Sequence, residues 1–309
     1  MGGDKKIDKK DIFPVILMGG LFILIHILSL VITGTFEEAG MQAFENPDDP
    51  LNIAFILVIM LIFTLLILLI AKFWKKQLIQ VIILGAIGYT SAYVMYPLFN
   101  LILISLISII FSIIIALILV VILYKYPEWW VIDICGIIVG TGAIAIFGIS
   151  LGVLLVIVLL IGLAIYDAIS VYKTKHMIDL ADTVMDLKLP VLLVIPKIRN
   201  YSLLKETKRL KEKLEEDEER DAFFMGLGDI VMPGILVAAV YKNIPQPEGL
   251  TIAFSVIIGT LIGFSILMTY VMRGKPQAGL PCLCGGAILG YLISSYLLLG
   301  KFAGISLQF

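Results

Sequence analysis

The sequence predicts an all-α polytopic membrane protein with nine transmembrane helices, its N-terminus cytoplasmic and its C-terminus outside. Three observations lead there. The first is composition: 309 residues are 60% hydrophobic and 15% charged, with a mean hydropathy of +1.06. An ordinary soluble domain is about 45–50% apolar and about 25% charged, so so much apolar surface must face something other than water. The second is length: the apolar stretches approach the roughly 20 residues needed to cross a hydrocarbon core of about 30 Å. The third is the placement of lysine and arginine, which collect on the cytoplasmic side of membrane proteins.

In order, the predicted spans are 13–33, 51–71, 78–97, 101–123, 130–148, 152–172, 222–241, 250–272 and 281–300. The charged start, MGGDKKIDKKDIF, precedes an apolar run with no small-residue cleavage site, so the first span reads as retained. Breaks fall at turn or charge signals: Asn46-Pro47-Asp48-Asp49-Pro50, Lys72 to Lys76, Tyr126-Pro127-Glu128 and Pro245-Gln246-Pro247. With these spans the inner segments hold 21 basic residues and the outer ones two, Lys242 and Lys301. The first outer loop is acidic, with Glu37, Glu38, Glu45, Asp48 and Asp49. Trp74, Trp129 and Trp130 fall at inner boundaries, where interfacial aromatics belong.

The chain divides into an N-terminal part, 1–172, a cytoplasmic loop, 173–220, and a C-terminal part, 221–309. The loop ends in KETKRLKEKLEEDEER, 205–220, a charged helix former with oppositely charged pairs at i,i+4 such as Lys208/Glu212. Within the loop, residues 190–196 (PVLLVIP) are too short to span and rich in β-branched side chains. They read as an interfacial strand or a membrane-surface anchor.

Several function classes fall away. A net charge of −1 offers no general basic surface for nucleic acid. Cys135, Cys282 and Cys284 form neither a disulfide framework nor a CxxC pair. The two histidines, His26 and His176, belong to no HExxH motif, so neither a metal nor another cofactor is expected. No GxSG motif with a paired histidine suggests a serine hydrolase.

A charged group inside a span costs about 2.5–3.5 kcal/mol on insertion scales, which makes it a functional candidate. Two lie well inside: Asp167 in the sixth span and Asp229 in the seventh. Asp133 is close enough to the inner end of its span to be hydrated, and His26 reads as a structural histidine. Counted from the inner boundaries at 1.5 Å per residue, the two aspartates lie at depths of roughly 8 and 11 Å. Neighbouring antiparallel spans thus bring two carboxylates to one level, and the topology was assigned without them.

Two carboxylates sharing a low-dielectric site cannot easily both ionise. One can then take a proton from water while the other, protonated, donates a hydrogen bond to a scissile carbonyl. The same pair could instead bind and release protons or cations in a coupled transporter, or serve only as structural hydrogen-bonding groups. The residues alone leave these three readings open.

Tyr166-Asp167 followed by Gly226-Leu227-Gly228-Asp229 resembles the YD and GxGD signatures of the presenilin and signal peptide peptidase family of intramembrane aspartyl proteases. The resemblance covers nearly the whole chain. Pro281-Cys282-Leu283 matches the family's Pro-Ala-Leu motif with cysteine in place of alanine. The cytoplasmic N-terminus, and Leu280 rather than glutamine before Pro281, favour the presenilin branch, closest to an archaeal presenilin homologue.

The resemblance implies a hydrolase of the cell membrane, with Asp167 and Asp229 catalytic. Tyr166, Gly226, Leu227, Gly228, Pro281, Cys282 and Leu283 would position the substrate, a transmembrane helical protein or peptide in the lipid bilayer. It also implies action without accessory subunits, and leaves open a homo-oligomer and self-cleavage within 173–220.

Overall fold

The computed structural model describes residues 9–73, 76–174, 192–198, 201–203, 221–273 and 277–305. The charged stretch 205–220, Trp74, His176 and Pro190 lie outside them. Among the described residues the fold is helical throughout except for one two-stranded sheet. Its helices are α1 (Lys9–Glu38), α2 (Leu51–Phe73), α3 (Lys76–Asn100), α4 (Ser105–Lys125), α5 (Trp129–Ser150), α6 (Val153–Ile169), α7 (Leu227–Asn243), α8 (Glu248–Met272) and α9 (Gly279–Leu299). One π-helical turn, Ser170–Thr174, continues α6.

Among the described residues seven of these helices are long and apolar enough to cross a bilayer. The exceptions are α2, whose described apolar part is Leu51–Phe63, and α7, at 17 residues. The shortness of α7 corrects the sequence expectation for 222–241. Residues Ala222–Gly226 are not helical; they form strand β2, antiparallel to β1 (Leu192–Pro196) in the register Leu192↔Gly226 to Pro196↔Ala222. The AFFMG run is apolar like the helix that follows it, so hydropathy cannot separate the two. Gly226 marks the change, because its extended backbone caps α7. The strand reading of 190–196 matches β1 over the described 192–196.

Helix α7 is the centre of the molecule. Residues 233–240 are all buried, and α1, α5, α6, α8 and α9 surround them. Burial from lipid gains little hydrophobic energy, so such helices associate by close packing and interhelical hydrogen bonds. The glycines fit that logic. A Cβ on Gly148 of α5 would lie 2.3 Å from the Ala238 Cβ, and one on Gly263 of α8 would lie 2.2 Å from the Cys282 carbonyl oxygen. His26 of α1 donates from Nε2 to the Ile230 carbonyl of α7 at 3.1 Å, the buried structural role expected of it.

The periphery looks different. Helix α4 buries only Ser108, Ser112, Ala116 and Leu123, and packs chiefly on α3. Exposed side chains such as Leu61, Leu106 and Leu297 form the apolar surface a bilayer would cover. At the opposite end of the molecule from the sheet, Lys242 of α7 pairs with Glu37 of α1. Helix α9 stops at Gly300, whose φ of +65° is a left-handed C-cap that a side chain would disfavour.

Candidate active site

The site is assembled at the start of α9. The first N–H groups of a helix have no intrahelical acceptor, and here one finds a carboxylate: the Leu280 N–H donates to Asp167 Oδ2 at 3.0 Å. Pro281 follows with no N–H to satisfy, the advantage of proline in a first turn. Asp167 arrives from the last turn of α6 and is buried, 4% exposed.

Asp229 arrives from the first turn of α7, three residues beyond the end of β2. Pro233 brings no N–H to the Asp229 carbonyl, which loosens the helix at that turn. Two glycines flank the Asp229 carboxylate. A Cβ on Gly226 would lie 3.2 Å from Oδ2, and one on Gly279 would lie 3.3 Å from the same atom. Gly279 thus touches Asp229 while its neighbour Leu280 holds Asp167, so the two carboxylates meet across one peptide unit of α9.

The remaining motif residues take separate places. Gly228 is exposed, and a Cβ there would meet nothing within 4 Å. Leu227 is buried, its Cδ1 filling the groove left by Gly136 and Gly140 of α5. Cys282 and Leu283 lie with their backbone against Gly263 of α8, and the Leu283 side chain is fully buried. Pro281 is half-buried in the first turn of α9. Tyr166 is not drawn into the site: its side chain is 70% exposed.

Asp133 departs from its sequence reading. It is buried, 6% exposed, rather than hydrated, and its Oδ1 accepts the Val194 N–H of β1 at 2.8 Å. Nearby, Glu128 accepts from the Ser202 hydroxyl at 2.6 Å and from the Leu203 N–H at 3.1 Å. Neither contact is legible from sequence, because both join α5 to distant parts of the loop. Gly279 was missed for the same reason.

The arrangement is thus two carboxylates from separate helices, one oriented by a backbone donor and the other packed closely between two glycines. A family model described as "Signal-peptide peptidase, presenilin aspartyl protease" matches residues 19–299. No curated protein matches the sequence. Among solved structures, a presenilin family intramembrane aspartate protease in a C222 crystal form has a TM-score of 0.66 and 30% identity, covering 93% of this chain and 99% of that one. A second such protease, in a P2 crystal form, has a TM-score of 0.68 and 33% identity, covering 91% of this chain and 96% of the other. The chain belongs to the signal-peptide peptidase and presenilin family of aspartyl proteases, and is a multi-pass membrane hydrolase of the intramembrane endopeptidase class.

Proposed function

We propose that Asp167 and Asp229 are the acid–base pair with which this chain hydrolyses peptide bonds of transmembrane-segment substrates. The observation that carries this is their convergence on Gly279 and Leu280 from two different helices. In the proposed cycle one carboxylate is ionised and takes a proton from a water, whose oxygen attacks the scissile carbonyl carbon. The other is protonated and donates to the carbonyl oxygen, which stabilises the tetrahedral intermediate. Collapse breaks the C–N bond, and the departing nitrogen takes a proton from the pair. The two acids titrate as a unit, so acid and base are roles of the pair.

A helical substrate must unwind locally before its carbonyl is accessible, and strand addition would hold it extended. The sequence offers two segments to receive it, residues 190–196 and the backbone near Pro281-Cys282-Leu283. Since Val194 of β1 gives its N–H to Asp133, the edge of β1 away from β2 is occupied, and the far edge of β2 becomes the better receiving edge. Strand β2 also runs directly into Gly226 and Asp229, so a peptide laid along it would reach the carboxylates. In this reading Gly228 leaves space for the substrate backbone, and Leu227, Pro281, Cys282 and Leu283 hold the two ends of the site in place.

Nine spans with a cytoplasmic N-terminus complete the reading. The nine helices among the described residues then cross a cell membrane, and the site lies near its cytoplasmic face, where water can enter. We also infer that the chain needs no accessory subunits. A proton- or cation-coupled transporter would use the same aspartates, but the family assignment lends it no support.

The test is reconstitution in lipid vesicles with a single-span peptide, comparing wild type with Asp167→Ala and Asp229→Ala. Wild type should cleave, and each variant should lose at least about 10²-fold in rate, the usual contribution of a positioned acid or base. Cleavage persisting in either variant would overturn the dyad. Ion flux without peptide-bond cleavage would favour the transporter.

A further inference from the structure

We propose that Asp133 is a positioning residue for proteolysis: its carboxylate fastens the outer edge of β1 to α5 and thereby fixes the strand that leads to Asp229. The inference rests on the protease reading above.

A two-stranded ribbon alone is marginal. Here the sheet has two strands among the described residues, yet β1 is buried along its middle. In an antiparallel pair, a residue whose N–H points away from its partner strand leaves that donor for something else. At Val194, opposite Phe224, the taker is Asp133 Oδ1 at 2.8 Å. A carboxyl oxygen stands where a third strand's carbonyl would be, so a side chain satisfies the outward donor of the strand.

Burying a carboxylate is costly unless it is well bonded, so a merely structural edge would be served as well by an apolar residue and a shorter strand. One further contact ties the sheet to the same helix, and a second ties the loop between the strands to the residue that precedes that helix. Leu193 packs where a Cβ on Gly136 would lie 2.8 Å from its Cδ2, and Glu128 binds the backbone and hydroxyl of residues 202–203. Helix α5 in turn packs on α7 at Gly140 and Gly148. One rigid path therefore sets the direction of β2 relative to the Asp229 carboxylate, across the hinge at Gly226.

Releasing β1 should let β2 swing at that hinge. Removal of the acceptor leaves a buried N–H unsatisfied, so Asp133→Leu should lower kcat/KM about tenfold and spread cleavage over neighbouring peptide bonds. Loss of folded enzyme alone would lower the rate and leave the cleavage positions unchanged. Asp133→Asn keeps a carbonyl oxygen for Val194 and should recover to within about threefold, at the wild-type positions.

Val194→Pro deletes the N–H outside the β1–β2 ladder, where proline is best tolerated. It should reproduce the Asp133→Leu pattern, and the double variant should be no worse than either single one. The measurements are product mass spectrometry with a single-span peptide in vesicles, and amide exchange of 192–198 and 222–226, which is read without any cleavage. Wild-type positions and rate in Asp133→Leu, or an Asn variant no better than Leu, would overturn the proposal and leave the dyad standing. Should Asp133→Leu fail to fold, unchanged positions in Val194→Pro would overturn it equally. Cleavage that persists in Asp167→Ala would instead overturn the dyad on which the protease reading is built, while amide exchange still reports on the Asp133 bond.

Discussion

Around the Asp229 carboxylate, three glycines separate crowding from access. At Gly226 and Gly279 an added methyl would lie 3.2 and 3.3 Å from Oδ2, so the carboxylate must shift by a few tenths of an ångström. Misplacement of a reacting group by about 1 Å can cost 10²-fold. Gly226→Ala and Gly279→Ala should therefore each reduce kcat by about tenfold with little change in KM, measured by initial rates on a single-span peptide. Gly228 faces open space, so Gly228→Ala should leave the melting temperature unchanged and raise KM, because only a bound substrate meets the new methyl. A drop in stability there would show that Gly228 serves packing instead. Asp167 and Asp229 were legible because a charge in an apolar span needs a reason. Gly279 was not, because glycine in a membrane has too many ordinary uses. Asp133 was legible as a residue and misread in its surroundings, since no sequence spacing relates it to Val194.

Helix α7 is held by contacts that side-chain size controls. Its nearest neighbours approach through glycine, and the partner of its Ile230 carbonyl is His26. His26→Leu keeps the bulk and removes that donor, which should cost about 1–3 kcal/mol for a buried acceptor left unpaired. Thermal unfolding in detergent measures it. On α8, Gly263→Ala would place a Cβ 2.2 Å from the Cys282 carbonyl oxygen. Overpacking of this kind costs typically about 1–3 kcal/mol, and it pushes directly on the turn that holds Asp167. The variant should lose both melting temperature and proteolytic rate, and an unchanged rate would show that the start of α9 is not tightly constrained by α8. Element type was easy where apolar runs were long and bounded, as for α4 between its turn and Tyr126. It failed at 222–226, where a strand and a helix share one apolar run and only hydrogen bonding to distant β1 tells them apart.

For the whole molecule, the decisive prediction is orientation. In a variant lacking Cys135, Cys282 and Cys284, a single cysteine at Lys125 should react with an impermeant thiol reagent only after the cytoplasmic side is opened. One at Lys301 should react in intact cells, and the reverse pattern would refute the cytoplasmic N-terminus. By itself the sequence determined the membrane class, the approximate helices and which two aspartates lie deep in apolar spans, because bilayer length, hydropathy and the rarity of intramembrane charge act on residues one at a time or in local runs. Only the tertiary structure decided that the start of α9 joins the carboxylates, that α7 is central, and that a small sheet held by Asp133 precedes Asp229. Those features are hydrogen bonds and close approaches between segments far apart in the chain, and no local pattern encodes which distant N–H a given carboxylate will meet.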